Sequence, residues 1–327
     1  MSIFDKLIGN EELKNTLATQ IRERKFLHAY IIEGAKGTGK HLVAKLASCA
    51  IMCRDKENAP CGKCDFCRKI MNDSCTDVRT YDAFKVEDVR KIKETLYETP
   101  TECDYKIYIL NDVQLMNPKA QNALLISLEE PPKNVVFFLL CTDSGALLET
   151  IRSRAQTLHT KPISDETIIK YVKENVKESI SDSKLKEIVV TSGGSLGYVL
   201  DMLDENKAES LISQREMAKK MAISLLNKDK EAYIFVSSLF STKRENLKAL
   251  LQICSIVLRD MMVLKKDKGA HLCFFTSSEE AVNTGAPYNL KKLLSAYESV
   301  TRALGDIEYN SNVPLTLMSM ITDFKKG

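Results

Sequence analysis

One short segment, Gly34-Ala-Lys-Gly-Thr-Gly-Lys40-His41, constrains the fold of this chain more than any other part of the sequence. An apolar run from Ala29 to Glu33 precedes it, and a helical pattern follows from Leu42. A glycine-rich turn between a buried strand and a helix lets backbone N–H groups surround a phosphate, and the lysine reaches the outer phosphates. The context predicts a phosphate-binding loop that comprises Gly34, Gly37, Thr38, Gly39, Lys40 and His41.

The last position of this loop departs from the usual pattern. Ser or Thr normally stands there, because its hydroxyl oxygen ligates Mg²⁺, whereas this chain has His41. Mg²⁺ is a hard cation that prefers oxygen ligands to an imidazole nitrogen. The sequence therefore predicts a site built for phosphates but poorly equipped for hydrolysis, and it leaves open whether ATP or ADP binds there.

Composition bounds the class of protein. The chain has 327 residues, of which 44% are hydrophobic and 28% charged, as expected for a globular protein of two or three domains. A net charge of +3 is too small to argue nucleic-acid binding by itself. Apolar stretches are too short to span a membrane, and Asp5 and Lys6 interrupt the apolar residues at the N-terminus. We expect a cytoplasmic protein with no membrane partner.

Strand and helix patterns alternate up to about residue 160. Residues 107–110 and 135–140 are continuous apolar runs, which are typical of strands buried on both faces of a parallel sheet. Between them, residues 118–130 predict a helix that ends before Pro131-Pro132. Beyond Pro162 helical spacing takes over, with short helices to about residue 206 and longer ones such as 243–265. This pattern predicts a doubly wound α/β domain followed by helices.

Four cysteines lie close together in the sequence directly after the first loop and helix. Cys61, Cys64 and Cys67 share a spacing of three residues, and Cys53 precedes them. Four thiolates can form a tetrahedral zinc site with no open position, so such a zinc ion would be structural. Cys75 remains an alternative to Cys53 as the fourth ligand, and unrelated surface or redox cysteines remain an alternative to the metal site. The other cysteines lie in or beside apolar runs, which predicts core positions for Cys49, Cys103, Cys141, Cys254 and Cys273.

The order of the motifs along the chain resembles one family. The loop, the cysteine module, a strand that ends in Asn111-Asp112, and the Ser153-Arg154 pair follow one another. Further similarity covers nearly the whole chain: Phe4 with residues 8–10, residues 28–30, 122–132, 150–154 and 312–317. Together these segments resemble the bacterial DNA polymerase III clamp loader, an AAA+ family, and resemble its delta-prime type more closely than its gamma or tau motor type.

The resemblance implies an architecture and a set of partners. The expected α/β fold has an AAA+ P-loop core at residues 1–161 with a parallel sheet and a zinc module inserted at about 53–75. A small helical lid at 162–207 and an all-α collar at 208–327 would follow. Expected partners are the gamma/tau and delta subunits in a heteropentameric ring, the sliding clamp and primer-template DNA. Such a subunit serves DNA replication as a component of a DNA-directed DNA polymerase (nucleotidyltransferase) holoenzyme.

The resemblance also assigns site residues. Asn111-Asp112 replaces the family's Asp-Glu pair, and Gly197 stands where active members carry a lid arginine. With His41, three groups that support phosphoryl transfer are altered, so we expect no ATPase activity of the chain's own. Residues 8–10 would line an adenine pocket if nucleotide binds.

Arg154 corresponds to the family's arginine finger, which acts in trans on a neighbour's nucleotide. Ala155 replaces the cysteine usual after that arginine, which leaves the guanidinium in place. The alternative is that Arg152 and Arg154 are surface charges.

Three rival functions remain at this stage. The first is an active gamma/tau-like ATPase motor of the same loader. The second is a zinc-bearing P-loop nucleotide kinase, although such kinases carry two separated CxxC pairs in a lid. The third is a thiol redox protein, which predicts exposed reactive thiols rather than bound metal.

Overall fold

A computed structural model describes residues 7–23, 25–82, 86–176, 180–227, 230–267, 270, 272–275, 277–308 and 311–323. Phe4, one of the residues that carry the resemblance, lies outside the described residues. The chain divides into two compact units. The first comprises the residues up to Tyr171 together with Gly194–Gly197, and the second comprises Val172–Gly193 and the residues from Tyr198 onward.

The first unit contains a five-stranded sheet in which each paired neighbour runs parallel. The strands are β1 (Ala29–Glu33), β2 (Val78–Tyr81), β3 (Lys106–Leu110), β4 (Val135–Cys141) and β5 (Gln156–His159). Their order in the sheet is β2-β3-β4-β1-β5. The two predicted apolar runs form β3 and β4, and every residue of both strands is buried.

Side chains of the central strands alternate between two hydrophobic clusters, one on each face of the sheet. Ile109 and Phe138 belong to one cluster, and Tyr108 and Phe137 belong to the other. This alternation follows from the two-residue repeat of a strand. A sheet with an apolar core on both faces is the doubly wound arrangement that the sequence predicts.

Helices cover both faces. α1 (Glu11–Arg22), α2 (Lys40–Met52) and α3 (Asp65–Met71) contribute to the cluster that contains Phe138, whereas α4 (Val86–Leu96) and α5 (Pro118–Glu129) contribute to the other. The Asn117 side chain caps α5 by accepting a hydrogen bond from the Ala120 N–H at 2.9 Å. Two further helices are α6 (Glu149–Arg152) and α7 (Asp165–Asn175). The predicted helix at 118–130 is confirmed to within one residue.

Every regular element in the described residues of the second unit is a helix, and residues from Ala218 to Ile321 share an apolar core. Its two longest helices, α10 (Glu205–Asn227) and α12 (Arg244–Lys266), have 23 residues each. The predicted helix at 243–265 corresponds to α12. The remaining elements in chain order are α8 (Asp182–Thr191), α9 (Leu196–Leu203), α10 (Glu205–Asn227), α11 (Lys230–Ser238), α12 (Arg244–Lys266), α13 (Ser278–Gly285), α14 (Leu290–Glu308) and α15 (Val313–Asp323).

Two sequence-based expectations concern membrane-spanning helices and domain boundaries. In the ranges that the structure describes, no helix has both the length and the apolar character needed to cross a bilayer. The predicted division into core, lid and collar at 161/162 and 207/208 is finer than the two compact units and stays a prediction.

Candidate nucleotide site and cysteine cluster

The glycine-rich segment forms the connection between β1 and α2. β1 ends at Glu33, and α2 begins at Lys40. Gly37 and Gly39 have φ values of 80° and 88°, a backbone region that favours glycine over residues with a side chain. The loop therefore lies at the carboxyl edge of the parallel sheet, directly before a helix N-terminus, where phosphate groups bind in α/β proteins.

Gly34 is required by a close approach between the loop and the end of β5. A Cβ atom added to Gly34 would lie 1.9 Å from Oγ1 and 2.9 Å from the carbonyl oxygen of Thr160. The Thr160 hydroxyl is fixed there by a 2.7 Å hydrogen bond with the Thr38 hydroxyl. This contact connects the phosphate loop to the strand after Arg154.

Gly34→Ala tests this close approach. We expect it to lower the free energy of unfolding by about 2 kcal/mol, because neither the hydroxyl nor the backbone of Thr160 can move aside freely. Urea denaturation followed by circular dichroism measures the change. Gly305→Ala is the matched control: its added Cβ meets no atom within 4 Å, so stability should stay constant or rise by up to about 1 kcal/mol. Equal stability of Gly34→Ala and the native chain would contradict the contact.

The Lys40 side chain is hydrogen-bonded to the backbone of the glycine-rich loop that precedes it. Its Nζ donates to the carbonyl oxygens of Gly34 at 2.7 Å and Ala35 at 2.9 Å. Burial lowers the pKa of the Lys40 ammonium, and the nearby Asp112 carboxylate partly opposes that shift. The ammonium has three N–H donors, so one of them remains for a phosphate oxygen beside these two contacts.

His41 lies beside the end of β3. Its Nδ1 is 3.3 Å from the Asn111 side-chain oxygen, and the Asn111 amide nitrogen donates to Asp82 Oδ1. Asp112 follows in the left-handed region with φ of 51°, and its side chain accepts a 3.1 Å hydrogen bond from Gln114. The structure thus places His41 next to Asn111, two residues that differ from the usual nucleotide-site pattern and lie 70 positions apart in the sequence.

Asp82 is a site residue that the sequence analysis missed. It directly follows β2, and β2 pairs with β3, so its carboxylate reaches the Asn111 side chain. Acidic residues just after parallel strands gather at one edge of the sheet, and this rule is the signal that could have identified Asp82. An open pocket of about 500 Å³ lies at this point, lined by His41, Ile70, Asp73, Cys75, Val78, Thr80, Asp82 and Asn111.

Gly197 packs against the phosphate loop through its backbone. Its N–H donates to the Gly37 carbonyl oxygen at 3.2 Å, and an added Cβ would lie 3.2 Å from the Gly37 Cα. Sequence reasoning identified only the missing arginine at this position. The structure adds that the space next to the loop backbone is filled at Gly197, so a side chain there would require the loop or α9 to move.

Two other predicted residues are held by internal contacts. Arg154 forms an ion pair with Glu129 at 2.8 Å and donates to the Thr150 carbonyl oxygen at 2.9 Å. Asn10, in the segment expected to line an adenine pocket, accepts a 2.6 Å hydrogen bond from the Lys161 N–H. Arg154 is 35% exposed, so its guanidinium is reachable from outside the chain.

The four predicted cysteines converge in the segment between α2 and β2. The Sγ atoms of Cys53, Cys61, Cys64 and Cys67 all lie within 4.8 Å of one another. A tetrahedral site with Zn–S distances of about 2.3 Å has S–S edges of roughly 3.8 Å. Backbone N–H groups point at the sulfurs: Cys61 N–H donates to Cys53 Sγ at 3.4 Å, and Cys64 N–H donates to Cys61 Sγ at 3.3 Å. The donor set and these hydrogen bonds fit a thiophilic metal ion such as Zn²⁺.

The cysteines of this cluster differ in how tightly they hold a proton. Burial raises the pKa of the Cys53 thiol to about 12. Burial also opposes the Cys64 thiolate, but hydrogen bonds from the backbone of Arg54 and from Cys67 outweigh it and lower the pKa of Cys64 to about 7. Metal binding at neutral pH would therefore displace protons from the thiols.

The remaining cysteines divide into two groups. Cys49, Cys141 and Cys254 are buried, as predicted, whereas Cys103 and Cys273 are only partly buried. Cys75 is absent from the four-cysteine cluster in the described part of the chain, and its Sγ lies 3.8 Å from that of Cys103.

A glycine-rich loop that leads from the carboxyl edge of a parallel sheet into a helix is the arrangement seen in P-loop α/β proteins. Comparison with known proteins finds similar sequences. The family model described as DNA polymerase III, delta subunit, matches residues 9–164. DNA polymerase III subunit gamma of Buchnera aphidicola subsp. Schizaphis graminum is 26% identical over 349 residues, which cover 99% of this chain and 96% of that protein.

Two further comparisons follow. DNA polymerase III subunit tau of Bacillus subtilis is 32% identical over 209 residues, which cover 62% of this chain and 37% of that protein. A crystal structure of a DNA polymerase III gamma subunit-related protein from Thermotoga maritima has 20% identity and a TM-score of 0.48, over 96% of this chain and 98% of that chain. The chain is therefore similar to DNA polymerase III subunits, over residues 9–164 in the family model and over most of its length in the gamma relative. It spans nearly all of the Buchnera relative but less than half of the Bacillus one.

Proposed function

We propose that this chain is a delta-prime-like subunit of the DNA polymerase III clamp loader, one that binds its partners without hydrolysing ATP itself. The observation that carries this proposal is the state of its own phosphate site. Gly197 packs its backbone against Gly37 where an active subunit carries an arginine, and His41 lies beside the uncharged Asn111 side chain. These features support a scaffold role and argue against a motor.

Arg154 supplies the function in trans under this proposal. Its guanidinium is partly exposed and is held by Glu129 through a surface ion pair, which is worth little in free energy. A neighbour's γ-phosphate could therefore compete for Arg154 at small cost. The planar guanidinium would stabilise charge on the transferred phosphoryl group at the neighbour's site.

The expected partners are the gamma/tau and delta subunits in a heteropentameric ring, the sliding clamp and primer-template DNA. Through them the chain would be a component of the polymerase holoenzyme. The second candidate is a gamma/tau-like motor, and it is favoured by the names of the relatives. The two candidates differ in whether this chain's own site turns over ATP.

Co-purification tests the proposal. The full chain is mixed with the motor and delta subunits of the same organism, and the complex is isolated by size-exclusion chromatography. We expect one copy of this chain in a complex with the motor subunits, and we expect its omission to abolish clamp loading. Clamp loading by a complex that contains this chain as its sole P-loop subunit would favour the motor instead.

A second part of the proposal concerns the cysteine cluster. We infer that Cys53, Cys61, Cys64 and Cys67 hold one structural zinc ion. The ion would neutralise the thiolates and tie the end of α2 to α3, whose first turn contains Cys67. With four protein sulfurs and no open position, the site would carry no chemistry of its own.

Zinc analysis checks this inference. We expect about one zinc per chain at pH 7.5, with Zn–S distances of about 2.3 Å by X-ray absorption. Cys64→Ser should lose most of the zinc and increase amide exchange in residues 53–75 more than in the sheet. Lowering the pH should release the ion, because protons compete for thiols such as Cys53 whose pKa is raised. Cys254→Ser, at a buried position in the second unit, should retain full zinc. Substoichiometric zinc in reduced, carefully handled native protein would contradict the inference.

A further inference from the structure

A second pair of cysteines lies outside the four-cysteine cluster. Cys75 precedes β2 and Cys103 precedes β3, and their Sγ atoms are 3.8 Å apart. Neither residue belongs to the cluster of Cys53, Cys61, Cys64 and Cys67. A separation of 3.8 Å is van der Waals contact between two thiols, and an S–S bond of about 2.05 Å requires the two side chains to rotate toward each other.

A buried carboxylate holds the two cysteines against each other. Asp77 is 2% exposed, and its oxygens accept N–H groups from Thr101 at 2.8 Å, Glu102 at 2.7 Å and Cys103 at 2.9 Å. Asp77 is two residues after Cys75, so the same carboxylate fixes the backbone on both sides of the pair. Two sulfurs that are fixed side by side have a high effective concentration for the thiol–disulfide exchange step that would join them.

Surface contacts of Glu102 also hold the segment before β3 next to the segment that contains Cys75. The Thr76 hydroxyl donates to Glu102 at 2.9 Å, and Lys69 forms an ion pair with Glu102. The segment that carries Cys103 is thereby bonded to residues on both sides of Cys75. The two chain segments stay together whether or not the sulfurs are joined.

The pair borders an open pocket, and Cys75 itself is 5% exposed. Cys75 lines the open pocket of about 500 Å³ that also contains His41, Asp82 and Asn111. Cys103 is partly buried. A hydrogen bond with the Cys103 thiol lowers the pKa of Cys75 to about 7, which favours Cys75 as the attacking thiolate.

We propose that Cys75 and Cys103 are a redox-active dithiol that is reversibly oxidised to an intramolecular disulfide by a low-molecular-weight disulfide of the glutathione class. The Cys75 thiolate attacks one sulfur of the small disulfide, forms a mixed disulfide and releases one small thiolate. The Cys103 sulfur then attacks Cys75 Sγ, and the second small thiolate leaves. The protein loses two electrons and two protons, and the small disulfide gains them as two thiols.

The disulfide would join the start of β2 to the connection before β3, at the rim of the pocket beside Asn111. It would close a loop that contains β2 and α4. Such closure restricts the unfolded chain, so the oxidised protein should have a higher thermal midpoint than the reduced protein.

The test uses the full-length, zinc-loaded chain, in which the metal protects the four clustered thiols. The chain is equilibrated with reduced and oxidised glutathione at a series of ratios, the free thiols are trapped with N-ethylmaleimide, and peptides are mapped by mass spectrometry. We expect oxidising ratios to remove two trapped thiols, to join the Cys75 and Cys103 peptides, and to leave the zinc content unchanged. Return to reducing ratios should restore both thiols.

Matched variants separate the pair from other thiols. Cys103→Ser should stop the reaction at a mixed disulfide on Cys75, and Cys254→Ser should leave the Cys75–Cys103 bond unaffected. The native-chain measurement stands by itself if Cys103→Ser fails to fold. Retention of both free thiols at every ratio would overturn the proposal, as would oxidation that releases zinc or joins either cysteine to the clustered ones.

Discussion

Arg154→Ala should strongly lower the ATPase activity of the reconstituted clamp loader that is stimulated by DNA and clamp. An arginine finger contributes roughly a thousandfold or more at a single site, because it stabilises charge that builds up on the transferred phosphoryl group. Only the neighbouring site loses its finger in a ring with several motor subunits. The bulk rate should therefore fall less than clamp loading does, and both are measured on the same reconstituted complex.

Folding, zinc content and assembly of the Arg154→Ala variant should remain intact. The ion pair that it removes joins Arg154, 35% exposed, to Glu129, 45% exposed, and such pairs contribute at most about 1 kcal/mol. Arg154→Lys should rescue only part of the loss, because a point charge cannot donate two parallel hydrogen bonds to a phosphate. Arg152→Ala, at an exposed position two residues earlier, is the matched control and should behave as the native chain. Normal clamp loading and normal stimulated ATP turnover with Arg154→Ala would show that Arg154 is only a surface charge and has no role in trans.

The second large effect concerns the chain's own site. The isolated protein should show no steady-state ATP hydrolysis above background, and its residual rate should equal that of Lys40→Ala. That variant removes the phosphate-loop lysine, so any activity shared by the two preparations comes from a contaminant. A turnover near 1 s⁻¹, at the lower end of kinase-like rates, that disappears in Lys40→Ala would contradict the prediction.

Restoring single groups should not create activity. His41→Thr returns a hydroxyl, but the neighbouring Asn111 still lacks a charge and is bonded to Asp82. Gly197→Arg returns the lid guanidinium only if the chain moves, since an added Cβ would lie 3.2 Å from the Gly37 Cα. We expect each single variant to remain at the background rate of Lys40→Ala. The same steady-state assay applied to all three proteins checks this expectation.

The glutathione equilibrium of Cys75 and Cys103 is independent of both ATPase predictions. It depends on the distance between the two sulfurs and on the hydrogen bonds that the Asp77 carboxylate accepts. Neither feature involves Arg154 or Lys40. Failure of one prediction therefore leaves the other predictions standing.

Local sequence signals determined a large part of this protein. The continuous apolar runs at β3 and β4 predicted buried parallel strands, because a strand with helices on both faces needs apolar side chains on both faces. Glycine spacing placed the phosphate loop between β1 and α2, since backbone with positive φ favours glycine. The spacing of Cys61, Cys64 and Cys67 predicted the convergence of the cysteines, because residues so close in sequence can share one ligand sphere.

Tertiary structure alone decided which distant groups meet. Pairing of β2 with β3 brings Asp82 to Asn111, and a backbone hydrogen bond holds Gly197 against Gly37. Cys75 lies against Cys103 instead of joining the four-cysteine cluster, because the Asp77 carboxylate ties the two connections together. Propensity and spacing act over a few residues, whereas these contacts depend on strand order and on the packing of segments far apart in the chain.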